Sequence, residues 1–168
     1  MGLDQSLLRI RKLSTDDIKK LSGHKLSEFS DIIPDIIVFD GTTFSSVSFG
    51  DRPNEYNPEE FEEIQQYRTP LKIASSGSGL NIFRKKRIVY AAHLEDIYYW
   101  RNNWDLNTDL MDAHNYDKDH IIEEGFYIFN ERMYDILYEY EKDNQKIFPN
   151  GKKSNFKDSN EALVYFPC

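Results

Sequence analysis

The segment "LLRIRKL" at residues 7–13 alternates apolar and basic side chains, with Leu8 and Ile10 on one side and Arg9 and Arg11 on the other. A period of two is that of a strand with one face buried. "STDDIKKLSG" follows at once: Ser14 reads as a helix N-cap, Asp16 and Asp17 complement the dipole of the first turn, and Gly23 is the stop. A strand running straight into a short capped helix commits the chain to a mixed fold. At 168 residues it is long enough for one core, and a single domain over residues 1–168 is expected.

Further elements follow from the same rules. "IIVFDGTTFSSVSF" predicts strands over 35–39 and 42–48, with Asp40 and Gly41 as a tight turn. Asn57 and Pro58 start a helix whose first turn holds Glu59 and Glu60 and whose buried face is Phe61, Ile64 and Tyr67. "PLKIA" and "LNIFRKKRIVYA" read as a hairpin around "SSGSG". From His93 to about Met111 the spacing of Ile97, Trp100 or Arg101, Trp104 and Met111 predicts a helix, although "RIVYAAHL" equally extends the strand before it. Gly125 introduces a short strand at "FYIF", Asn130 caps a helix that turns Met133, Ile136, Leu137 and Tyr140 inward, and "ALVYF" is a last strand. Strands and helices do not alternate regularly, so the expected class is α+β, an antiparallel or mixed sheet covered by about four helices.

Charge is segregated along the chain. Residues 1–90 carry 13 acidic and 13 basic side chains and residues 91–168 carry 16 and 8, so the net charge of −8 belongs to the second half. Such a surface repels nucleic acid and anionic membrane and favours basic partners. No apolar run approaches the roughly 18 residues needed to span a bilayer, and a cytoplasmic protein is expected. The one cysteine, Cys168, leaves no internal disulfide to form.

Several segments carry residue types used in chemistry. "SSGSGL" has the glycines of a phosphate-cradling loop but is followed by strand-like sequence, which fits a hairpin turn better. The basic run Arg84 to Arg87 reads as a protected strand edge. "DAHNYDKDHIIEE" gathers Asp112, His114, Asp117, Asp119, His120, Glu123 and Glu124, at spacings that match neither a calcium loop nor a two-histidine helical pair. His93, Glu95 and Asp96 either start a helix or form an acid/base group with Arg101 holding an anion. His93 and His114 are candidate proton carriers, no catalytic residue is assigned, and no metal or cofactor is expected. Tyr98, Tyr99, Trp100 and Trp104 are four rings within seven residues. On a helix they cannot all face a core, and between Glu95 and Asp143 they are embedded among 14 acidic and 4 basic side chains. Tyr99, Trp100, Arg101 and Trp104, rimmed by Glu95, Asp96, Asp105, Asp109 and Asp112, therefore make the candidate binding surface.

The opening "MGLDQSLLRIRKL" and the segment "YYWRNNW" resemble a family of small proteins of bacteriophage and prophage genomes, whose members open Met-Gly-Leu-Asp and carry a later Tyr-Trp-Arg segment. "YIFNERMYDIL" is similar to a segment that follows in that family. Gly2, Leu3, Asp4, Tyr99, Trp100 and Arg101 match, whereas Trp104 and Asn107 stand where the family often has Asn and then His. The resemblance implies a phage accessory role and assigns no mechanism. It also bears on Gly2 and Ser6, which have the spacing of an N-myristoylation signal: bacteria and their phages lack that acyl transfer, and the opening is read as a strand. Two functions follow. One is a protein that binds a basic host or defence protein through the acidic, aromatic-rich half, acting as an anti-defence inhibitor, without binding nucleic acid or membrane directly. The other is a pocket that binds or cleaves a phosphorylated, nucleotide-like signal through Tyr99, Trp100 and Arg101.

Overall fold

Fifteen consecutive residues, Arg87–Arg101, form one strand on which the rest of the sheet is built. The structure is a computed structural model that describes residues 2–40, 43–46, 50–53, 66–74, 87–116, 118, 127–143, 147 and 160–167. Its strands are β1 (Asp4–Arg11), β2 (Ile36–Asp40), β3 (Thr43–Ser46), β4 (Gly50–Pro53), β5 (Thr69–Ile73), β6 (Arg87–Arg101), β7 (Tyr127–Ile128) and β8 (Glu161–Pro167). They join in the order β4-β3-β2-β6-β1-β8-β7, with β5 also paired to β6. Every pairing between described strands is antiparallel. Because β2 takes residues 90–93 of β6 on one edge, β5 (on 87–91) and β1 (on 93–101) share the other. The helices are α1 (Thr15–Leu21), α2 (Phe29–Ile32), α3 (Trp104–Asn115) and α4 (Glu131–Glu141). The fold is α+β, as the sequence predicts.

Leu8 and Ile10 share one face of β1 and join a cluster with Ile37, Ala92, Leu94, Ile128 and Val164. The opposite face is not left to solvent. At one end Leu7, Trp100, Leu163 and Tyr165 pack beneath Leu106 and Leu110 of α3 and Met133 and Leu137 of α4. At the other, Val38, Leu71, Ile73, Val89 and Ala91 pack beneath Leu21 and Phe29 of α1 and α2. Two helical caps thus sit on one face of the sheet, and Arg9 and Arg11 lie between them.

Local signals hold at several element ends. Ser14 and Asp17 form the reciprocal capping box of α1, and Gly23 beyond its end has φ +81, a conformation that glycine adopts without steric penalty. Asn130 caps α4 by accepting from Met133 N at 2.9 Å, and its amide also donates to Ala113 O at 3.0 Å in the last turn of α3. One side chain therefore fixes the start of α4 against the end of α3. Asn130→Ala is expected to lower stability by about 1–2 kcal/mol, read from the urea midpoint, whereas Asn130→Asp keeps the cap but sets a carboxylate oxygen where the amide donated to Ala113 O.

Three expectations are corrected. Residues 93–101 are strand, and the helix starts at Trp104. Asn102 has φ 58, which breaks the strand, and Asn103 caps α3 by accepting from Leu106 N. The helical spacing was misleading because β6 carries an extra residue: the register with β1 shifts between Leu7, paired with Tyr98, and Leu8, paired with Asp96, leaving Ile97 as a bulge. His93 and Glu95 consequently share a face with Tyr98 and Trp100, odd numbers with even. Second, Tyr140 is 43% exposed and Tyr134 takes its place inward. Third, the last pair of the β2–β3 hairpin is Asp40 with Thr43, one residue later than a turn at Asp40 and Gly41 requires. The helix start at Asn57, the "SSGSG" loop and Arg84 to Lys86 lie outside the described residues.

Candidate functional site

The Tyr-Trp-Arg segment does not form one surface. Adjacent strand residues point to opposite faces, so Trp100, opposite Gln5, turns under the helical cap while Tyr99, opposite Ser6, turns the other way. Trp100 is 8% exposed, lies 4.9 Å from the Tyr98 ring and donates its indole N–H to Glu141 Oε1 of α4 at 3.1 Å. It is a core residue, which corrects its assignment to a docking surface. Tyr99 is 56% exposed and donates its hydroxyl to Asp4, and that bond to a carboxylate raises the phenol above its ordinary range. Arg101 lies 3.8 Å from the same Asp4 carboxylate.

The candidate proton carriers are equally dispersed. His93 is eight residues from Arg101 along β6, about 26 Å at the rise of a strand, so the two do not share a pocket. His114 is buried in the last turn of α3, edge-on to the Tyr127 ring at 4.9 Å. Glu95 is ion-paired with Arg9 on the helix-covered face, and Asp96, opposite Leu8, lies on the other. Among the described residues no three His, Cys, Asp or Glu side chains are grouped to hold a metal ion. No helix among them is long and apolar enough to cross a membrane.

What the structure does bring together is Asp105, Asp109 and Asp112 on one face of α3, with Trp104 exposed at the start of the helix. Trp104 is the first residue of α3 and 55% exposed. Asp105, Asp109, Asp112 and Tyr116 recur at intervals of four, three and four, which is one face of a helix. All four are exposed. α4 runs antiparallel beside α3, and its own exposed stripe is Glu131, Asp135 and Glu139. Tyr140 of α4 donates to Asp109 Oδ2 at 2.8 Å, a bond that raises its phenol pKa. Between the helices runs an open groove of about 380 Å³ lined by Asp109, Asp112, Ala113, Tyr116, Arg132, Asp135 and Ile136. The Arg132 guanidinium lies over the Tyr116 ring, 3.6 Å from its centroid.

Over residues 104–116 and 131–143 there are eight acidic and two basic side chains. Within the two helices three like-charge pairs stand four apart: Asp105 with Asp109, Glu131 with Asp135, and Asp135 with Glu139. Each costs a few tenths of a kcal/mol. Asp112 and Glu139 also sit in last turns, where the helix dipole disfavours an anion. Part of this charge is compensated locally, Glu139 by Lys142 at 3.9 Å and Asp109 by the Tyr140 hydroxyl, and the layer still keeps an excess of acids. Asp135, Glu139 and Tyr116 were not legible as site residues in the sequence, and Tyr140 was read as inward, although the spacing on two helices marks them once α3 is placed correctly. No protein-family model matches the chain, and no curated protein or solved structure is significantly similar to it.

Proposed function

We propose that the chain is a binding protein whose α3–α4 layer docks a basic protein. The observation that carries this reading is the pairing of two acidic stripes along one groove that Tyr116 lines, with Trp104 exposed at the start of the same layer. Negative potential over such a layer speeds encounter with a basic surface, and a half-exposed indole beside it supplies the desolvated anchor of an interface hot spot. Following the resemblance to phage proteins, the partner is a basic host or defence protein, and the role is that of an inhibitor covering a surface that would otherwise meet nucleic acid.

Affinity capture from the host followed by calorimetry tests this. A captured protein of high isoelectric point should bind several-fold more weakly as salt rises from 50 to 300 mM, because exposed charges are screened over the shorter Debye length. Affinity that does not change with salt counts against the proposal.

A further inference from the structure

Between the two helical caps the sheet presents a polar seam. Arg9 stands opposite Glu95 and Arg11 opposite His93, all four on the helix-covered face. Arg9 ion-pairs with Glu95 on the sheet itself. Arg11 instead reaches off the sheet to Asp17 of α1 at 3.4 Å, and Asp17 in turn accepts from Ser14 N at 3.1 Å in the capping box. Asp17 therefore holds both the start of α1 and its tie to the sheet. At the foot of that tie is His93, whose Nδ1 is sealed from solvent without a hydrogen-bond partner, as is Arg9 Nε.

We propose that His93 is an acid-sensitive latch that holds the α1–α2 cap on the sheet while its ring is neutral and releases it when the ring is protonated. A proton on the ring would set a second cation against Arg11 and leave the sealed Nδ1–H donor with no acceptor, an arrangement that costs a half-buried ring part of the penalty of an unsatisfied charged group. The charged groups facing His93 are Arg11 from β1, Asp17 from α1, Asp35 from the turn before β2 and Glu95 from its own strand. Glu95 is already paired with Arg9 and Asp17 with Arg11. Burial first and Arg11 second hold the imidazole below its ordinary range.

The sign follows from linkage. In the closed form His93 takes up a proton less readily than in the opened chain, where its pKa is about 6.5. Stability of the cap is therefore complete above that value and falls as pH drops below it. The carboxylates that titrate low, Asp17 and Glu28, act in a more acidic window. Opening should stay local, because Leu13, Leu21, Phe29 and Ile33 belong to a different apolar cluster from the one under α3 and α4.

Hydrogen exchange of the whole protein at pH 7.5 and 5.5, corrected for intrinsic rates, tests the latch. Residues 12–35 should lose protection several-fold at pH 5.5 while residues 104–115 do not, and His93→Gln, neutral at both pH values, should abolish the difference. An equal response in His93→Gln, or an equal loss over both caps, overturns the proposal. Should His93→Gln fail to fold, NMR titration of the four histidines in the unaltered protein decides. A His93 ring that titrates below about 6.5, with amide shifts over residues 12–35 following it, supports the latch, and one that titrates at or above that value overturns it.

Discussion

Tyr165→Ala is expected to be the most destabilising single change in the molecule, at about 3–5 kcal/mol, a large share of the roughly 5–15 kcal/mol that holds a domain folded. The ring is fully buried in β8, opposite Leu7 on one side and Tyr127 on the other. Its hydroxyl accepts from Gln5 Nε2 at 2.8 Å and donates to Asn107 Oδ1 at 2.6 Å, while Gln5 Oε1 accepts from Asn103 N at 2.9 Å. That chain of bonds ties β1, β8 and the first turns of α3 together. Tyr165→Phe keeps the ring but leaves groups of buried Gln5 and half-buried Asn107 unpaired, so about 1–3 kcal/mol is lost. Burial also pushes the Tyr165 and Tyr134 hydroxyls up to about 12. The folded protein keeps those protons where the unfolded chain releases them, so stability falls as pH rises from 10 toward 12. In Tyr165→Phe that alkaline decline should be shallower. Urea denaturation at pH 7 and pH 11 measures both effects.

Trp104→Ala should weaken the complex by about 2 kcal/mol or more, about 30-fold, the loss typical of an aromatic anchor at an interface. With the ring already 55% exposed in the free protein, stability should change by no more than about 0.5 kcal/mol. The acidic stripes make a complementary prediction. In the triple variant Asp112→Asn, Glu139→Gln and Asp135→Asn, two like-charge pairs and two anions at helix C-termini disappear against the loss of one exposed 3.9 Å pair of Glu139 with Lys142, so the melting temperature should hold or rise. Association with a basic partner should slow by tenfold or more through lost steering. A structural role for these acids predicts the opposite, a lower melting temperature with binding intact. Calorimetric melting and stopped-flow association, run on the same preparations, separate the two.

Most of the fold was legible where one local rule acted alone. The alternation in "LLRIRKL", the capping box at Ser14 and the cap at Asn130 each follow from neighbouring residues, whereas the Asn103 cap was hidden inside a predicted helix. The strand from His93 to Arg101 was not legible, because the bulge at Ile97 swaps the parity of its faces and imitates a helical period. That single residue also misassigned the site. A helix would have put some of Tyr98, Tyr99 and Trp100 beside the acids of α3, whereas the strand sends Trp100 into the core and Tyr99 to the far face. Arg9, Arg11 and His93 carried no local sign of burial, since the covering helices come from elsewhere in the chain. The acidic layer survived the error because Asp105, Asp109 and Asp112 lie beyond Asn103, where the helix is real.

The central claim is that the exposed face of α3 and α4 is where a basic protein docks. A photo-crosslinking side chain placed at Thr108, exposed on α3, should capture one basic protein in the host cell, and the same probe at Lys19, exposed on α1, should not. Capture of that protein from Lys19 and not from Thr108 would contradict the account.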